Sequence, residues 1–210
     1  MTTKLLVATR NKGKLAELRE LVTELDVELL SLDDAPSAPA DVIEDGATFE
    51  ANARKKATEY ARATGLLTLA DDSGLEVDAL AGEPGVRSAR YAGPRATDGE
   101  NNRVLLARLA AFEHGERAAR FRCVLALADP NGPLGPEVHL EGGVCEGHIV
   151  SGPRGTGGFG YDPLFVPTAA DGRTLAELRG DEKNAVSHRA DASRKMVAFL
   201  RNYLRARPAP

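Results

Sequence analysis

Two adjacent carboxylates, Asp71 and Asp72, followed by Ser73 and Gly74, come directly after the apolar run Leu66–Ala70. Open α/β sheets collect ligands at the carboxyl ends of their strands, so a strand ending in acids is placed for chemistry. Neighbouring strand residues point to opposite faces, which leaves one of the pair for the site. A hard cation such as Mg²⁺ takes carboxylate oxygens together with substrate phosphates, and Glu44 in the acidic loop DVIEDG offers a second carboxylate. The plainer alternative makes both aspartates turn formers ahead of Gly74. Asp72-Ser73-Gly74 also matches the aspartic-protease signature, in which two carboxylates share a proton. That motif would have to occur twice, or once in a much shorter dimeric chain, and it stands here once in a chain that alternates helices with strands.

Four further constellations could bind or react. The segment TRNKGK, Thr9–Lys14, lies between a strand and a helix, where unpaired N–H groups together with Asn11, Lys12 and Lys14 favour phosphate; the GxxxxGK[ST] spacing is absent. Lys56 is the second. In a helix from Thr48, the stripe Phe49, Ala53, Ala57, Tyr60 and Ala61 includes position 56, whereas Arg54 and Lys55 fall outside it. An inward-facing charge needs a partner, unless the lysine snorkels. The third is GTGGFGYDPLF, Gly155–Phe165, which satisfies GxGxxG but continues into extended LFVP rather than opening a helix. It reads as a loop offering Phe159 for base stacking and Asp162 for hydrogen bonding. The fourth is KNAVSHR, Lys183–Arg189, where Ser187 can cap a final helix. His188 and Arg189 in its first turn oppose the helix dipole and call for an anion or carbonyl acceptor.

The elements that must position these residues follow from periodicity. A short strand at Leu5–Ala8 precedes a helix carrying Leu15, Leu18, Val22 and Leu25 at helical spacing; a strand at Val27–Ser31 precedes a helix from Thr48 that Gly65 ends. Thr97 or Asp98 caps another helix through Phe112. Two long strands, ARFRCVLALADP and EVHLEGGVCEGHIV, join around Asn131-Gly132-Pro133, and a helix near Ser187–Leu204 closes the chain. This order predicts an α/β fold with a mixed sheet flanked by helices. The 210 residues suit one large domain or two small lobes, with a frayed tail expected at 205–210.

Composition narrows the function class. A net charge of −4 gives no reason to expect a nucleic-acid polymer or an anionic membrane as partner. No apolar run approaches the ~20 residues of a membrane span, and the start holds no signal-peptide core, which points to the cytoplasm. Cys123 and Cys145 lack a CxxC spacing and are expected as buried, reduced thiols.

With these residues assembled, the chain resembles the inosine triphosphate pyrophosphatase family, enzymes that cleanse the nucleotide pool of deaminated purines. The motifs ATRNKGKLAEL, TFEANARKKA, ADDSGLEVDAL, GVRSARYAG, GTGGFGYDPLF and EKNAVSHRADA stand in family order from near Leu5 to about Leu204. The resemblance implies that Thr9, Arg10, Asn11, Lys12, Gly13, Lys14 and Lys56 hold the triphosphate. It assigns Mg²⁺ to Glu44 and Asp72, with Asp45 or Glu50 as alternatives to Glu44, and makes Asp72 the general base. Ser73 touches the substrate, Phe159, Gly160, Tyr161, Asp162 and Lys183 line the nucleoside pocket, and His188 with Arg189 reads the base. An elongated two-lobed sheet with a central cleft, usually in a homodimer, comes with the same resemblance.

The implied reaction is Mg²⁺-dependent hydrolysis of ITP, dITP or XTP to the monophosphate and pyrophosphate. Hypoxanthine and xanthine present an acceptor oxygen where adenine presents an amine, so donors from Arg189 would leave adenine mismatched at ~1–3 kcal/mol when buried. Two rivals remain, a nucleotide sensor without turnover and a Maf-type pyrophosphatase of modified pyrimidine nucleotides. Asp72, Lys14 and Lys56 together argue against the first, and the SHR segment against the second.

Overall fold

The computed structural model describes residues 2–207. Its sheet has six strands, β1 (Thr3–Ala8), β2 (Val27–Leu30), β3 (Leu67–Val77), β4 (Ala118–Ala128), β5 (Val138–Ile149) and β6 (Phe165–Pro167), in the order β2-β1-β3-β4-β5-β6. Pairing of β1 with β2 and with β3 is parallel, and pairing of β5 with β6 is antiparallel, so the sheet is mixed as the alternation predicted. Leu5, Leu6, Val7 and Ala8 are all buried, the continuous apolar run of an interior parallel strand.

Among the described residues five α-helices accompany these strands: α1 (Lys12–Leu21), α2 (Phe49–Thr64), α3 (Asp98–Arg108), α4 (Gly180–Val186) and α5 (His188–Ala206). Each of the first three starts at a side-chain cap. Asn11 accepts from the Lys14 amide, Thr48 from the Ala51 amide and Thr97 from the Glu100 amide, each satisfying an N–H that the helix leaves open. Gly65 ends α2 at φ +70°, the left-handed cap that a side chain would resist.

The chain divides into two compact units. The first comprises Met1–Asp72, Cys123–Gly143 and Asp191–Pro210; the second comprises Ser73–Arg122 and Val144–Ala190. Each has its own core. In the first, Leu5, Val7, Leu18, Leu67, Leu69, Leu125, Met196 and Leu200 pack together. In the second, Leu75, Val77, Leu105, Leu109, Phe121, Ile149, Tyr161 and Phe165 do so.

Several expectations differ from the structure. The strand expected to stop at Ala70 runs on to Val77, so Asp71 and Asp72 lie within a strand and not at its end. Their buried partners outweigh the turn preference of Asp-Ser-Gly, and Leu75 and Val77 continue the buried run. The third helix ends at Arg108 instead of Phe112, and the short α4 precedes the final helix. At the C-terminus, α5 extends to Ala206 and Arg207 forms an ion pair with buried Asp129; residues 208–210 of the expected tail lie outside the described residues. Cys123 and Cys145 are buried, reduced thiols as expected. Among the described residues, no helix is long and apolar enough to cross a membrane.

Candidate active site

The first unit concentrates charge around Lys56. Its helix α2 buries Phe49, Ala53, Ala57, Tyr60 and Ala61, and Lys56 lies in the same stripe with only 8% of its surface exposed. The ammonium does not snorkel. Lys56 Nζ donates to the Asp71 carbonyl at 2.6 Å and forms ion pairs with Glu44 Oε1 at 2.8 Å and Asp72 Oδ1 at 3.5 Å. Burial pulls the lysine pKa down, but Asp72, Glu44 and Asp71 together outweigh it and hold the group above its ordinary value.

Asp71 and Asp72 divide their work. Asp71, fully buried, pairs with Lys14 and accepts from the Cys123 thiol at 3.1 Å, while Asp72 pairs with Lys56. Asp72 Oδ2 is buried and meets no hydrogen-bond donor among the described residues. Burial is the chief reason that the Asp72 carboxyl is pushed up to about 6; Lys56 and Lys14 pull it down, and Glu44 and Asp71 push it up again. A carboxylate 3.5 Å from an ammonium shared with Glu44 gains too little attraction to offset its lost hydration.

The rest of the expected phosphate-binding segment begins α1. Thr9 Oγ1 accepts from the Asn11 amide at 3.2 Å, and Asn11 Oδ1 in turn accepts from the Lys14 amide at 3.0 Å. Lys12 is exposed and Gly13 half-buried in the first turn. Arg10 donates through Nε to the Ala40 carbonyl at 2.9 Å. Of the acidic-loop alternatives, Asp45 pairs with half-buried Lys55 and Glu50 lies in the first turn of α2, while Glu44 is the loop carboxylate paired with Lys56.

The donor set suits a hard divalent cation. Glu44 and Asp72 are carboxylates that share one ammonium, and Asp72 keeps an unused buried oxygen. Among the described residues no group of three or more His, Cys, Asp or Glu is arranged to hold a metal. Two carboxylates completed by phosphate oxygens and water are the pattern of Mg²⁺ bound with a nucleotide.

The second unit gathers the other expected residues around Phe159. Asp162 Oδ2 accepts from the Phe159 amide at 2.9 Å and from Lys183 Nζ at 2.7 Å, and all three belong to one loop and the helix α4. Gly158 is at φ +71°, and a side chain there would collide with the Asp162 carboxylate. Lys183 Nζ lies 4.9 Å and Arg189 Cζ 5.7 Å from the centre of the Phe159 ring, within cation–π range. Arg189 is buried at the start of α5 and donates to Ser73 Oγ at 2.8 Å. His188 stacks on Phe121 at 4.8 Å, and Ser187 Oγ caps the helix by accepting from the Ala190 amide. Tyr161 turns inward, donating to the Ser88 carbonyl at 2.9 Å, and burial raises its phenol pKa.

A model of the Ham1 family matches residues 5–199. The chain belongs to the Ham1 family. Among curated relatives, the dITP/XTP pyrophosphatase of Geobacter sulfurreducens is 52% identical, with 96% of each chain covered. That of Anaeromyxobacter sp. is 47% identical over 96% of this chain and 98% of the relative. A solved Ham1 protein from Coxiella burnetii superposes with TM-score 0.85 at 42% identity, covering 96% of this chain and 100% of the other. The dITP/XTP pyrophosphatase structure from Mycobacterium abscessus gives 0.74 at 47% identity, with 94% and 99% covered. Family membership agrees with the resemblance read from the motifs, and the likeness extends over nearly the whole chain.

Sequence reasoning did not find the partners that orient this site. Asp71 as the mate of Lys14, Cys123 beside it and Phe121 beneath His188 are all distant in sequence from the groups they hold. The one available signal was Asp71 itself, a second acid on the opposite face of the strand.

Proposed function

We propose that this Ham1-family chain hydrolyses deaminated purine nucleoside triphosphates (ITP, dITP and XTP) to the monophosphate and pyrophosphate. One observation carries the reading: buried Lys56 holds Glu44 and Asp72 together while Asp72 retains an unused buried oxygen. The names of the closely similar dITP/XTP pyrophosphatases supply the substrate class.

In this account Glu44 and Asp72 would hold Mg²⁺, which when bound supplies positive charge to the phosphate oxygens. Lys14 and Lys56 stabilise the charge that develops as the bond between the α and β phosphates breaks. Thr9, Arg10, Asn11, Lys12 and Gly13 contact the triphosphate, with the start of α1 contributing backbone N–H groups. Asp72 takes the proton of the attacking water, so that water adds across the phosphoanhydride and two products leave. Without a cation the Asp72 carboxyl is pushed up to about 6 by burial, so at neutral pH it is still largely ionised and free to accept a proton.

The residues of the second unit take the nucleoside. Phe159 stacks on the base, Gly160, Tyr161, Asp162 and Lys183 shape its pocket, and Ser73 contacts the substrate beside Asp72. His188 and Arg189 donate to the 6-oxygen, which adenine lacks. The chain acts as a cytoplasmic homodimer of single two-lobed domains, with no nucleic-acid polymer or membrane as partner.

Chromatography of products from ITP, XTP, GTP and ATP with Mg²⁺ tests this directly. Monophosphate plus pyrophosphate from ITP and XTP, with little from GTP or ATP, is the expected result. Diphosphate plus orthophosphate would move the cleaved bond, and tight ITP binding without products would make the chain a sensor.

A further inference from the structure

Gly160 follows Phe159 in the loop and is gripped at both of its backbone polar groups by α3. Its N–H donates to Asp98 Oδ2 at 2.6 Å, and its carbonyl accepts from Asn102 Nδ2 at 3.1 Å. Asp98 and Asn102 are four residues apart on the helix and so face the same side, a donor and an acceptor spaced to meet one residue. Gly160 is at φ +61° and has no side chain to anchor, which makes those two groups the handles on this part of the loop. On the other flank the Phe159 amide is fixed by Asp162.

Asn102 Oδ1 is buried and meets no hydrogen-bond donor among the described residues. A buried acceptor without a donor is a local cost, so stability alone would favour an apolar residue at this position. The side chain is explained by what its amide nitrogen does for the loop.

We propose that Asp98 and Asn102 are positioning residues for nucleobase recognition, acting through Gly160 to hold Phe159 as a rigid platform. The proposal rests on the hydrolase reading for the identity of the ligand, but its test reads binding and needs no turnover. The probes are a non-hydrolysable α,β-imido analogue of ITP and inorganic tripolyphosphate, which lacks a base, each titrated calorimetrically into the full chain with Mg²⁺. If the released loop adopts the competent conformation ~10% of the time, Asn102→Ala weakens the analogue ~10-fold. Tripolyphosphate affinity and thermal midpoint stay unchanged. Asp98→Ala acts in the same direction with a smaller effect, because Asp98 is exposed and water replaces it in part. Asp98→Asn, which keeps an acceptor oxygen, restores binding.

Glu100→Ala is the control. It removes the box in which Glu100 Oε2 accepts from Thr97, weakening the same helix start without touching Gly160, and should leave both affinities unchanged. Unchanged analogue affinity in Asn102→Ala, equal weakening of tripolyphosphate, or a Glu100→Ala protein that behaves like Asp98→Ala would each overturn the proposal. A wild-type protein that shows the expected binding pattern yet releases no pyrophosphate from ITP would overturn the hydrolase reading and leave the platform standing.

Discussion

Lys56 in the first unit and Lys183 in the second are both buried, yet their surroundings differ in charge. Lys56 is shared by Glu44 and Asp72, and with Lys14 on Asp71 the group sets two ammonium ions against three carboxylates. Lys183 pairs with Asp162 and lies over the Phe159 ring. The first arrangement keeps a carboxylate oxygen unused and a raised acid pKa, a local cost that a bound cation would relieve. The second is hydrogen-bonded in advance, which suits recognition, where a site should not have to reorganise on binding. Under the proposed function, catalysis falls to residues of the first unit and selection to residues of the second.

The sharpest way to break this contrast is to remove its central cation or its acid. Lys56→Ala and Asp72→Asn should each lower kcat for ITP ~10³-fold or more with the fold retained, as read by steady-state kinetics beside circular dichroism. Near-normal turnover in either variant would remove that residue from the chemistry. Chelation of divalent cations should have a comparable effect, reversed by Mg²⁺.

On the other side, Asp162→Ala should act mainly on KM. It removes the acceptor that Lys183 and the Phe159 amide share, and a rise of ~10–100-fold in KM with a much smaller change in kcat is expected. A loss confined to kcat would place Asp162 with the catalytic group.

A gentler probe is pH. With Asp72 at about 6, kcat/KM at limiting Mg²⁺ should fall on an acid limb near that value, by about tenfold per pH unit below it. Raising Mg²⁺ should carry the limb to lower pH, because a cation favours the ionised carboxylate.

The smallest effect is on stability. The folded protein holds the Asp72 proton more tightly than the unfolded chain does, so this group's contribution is present at low pH and is lost as pH rises from about 3.8 through about 6. In chelator and without nucleotide, Asp72→Asn should therefore melt higher than wild type at pH 8, by a few degrees, with the gap closing toward pH 4. A variant that melts lower at pH 8 would mean that Asp72 stabilises the fold by pairing with Lys56.

Much of this contrast was legible in the sequence, for identifiable reasons. Lys56 could be found because the 3.6-residue period of α2 has no room for a charge on its apolar face. The loop at Phe159 was legible because its glycines run into an extended segment instead of a helix. The length of β3 was misread, since Asp-Ser-Gly is turn chemistry unless distant groups pair with it, and Lys14 and Lys56 belong to elements far away in sequence. The grip of Asp98 and Asn102 on Gly160 was invisible for the same reason, spanning about sixty residues of chain. Local pattern reports which face a residue occupies, whereas the partner across the space comes only from the fold.

The division of labour is tested most directly by kcat/KM for ITP and for ATP in Glu44→Gln and in Arg189→Lys. The account predicts that Glu44→Gln lowers both values together and leaves their ratio unchanged, while Arg189→Lys, which loses the planar fork of donors, lowers the ratio ~10-fold. A ratio that shifts with Glu44→Gln and holds with Arg189→Lys would contradict the assignment of chemistry to the first unit and selection to the second.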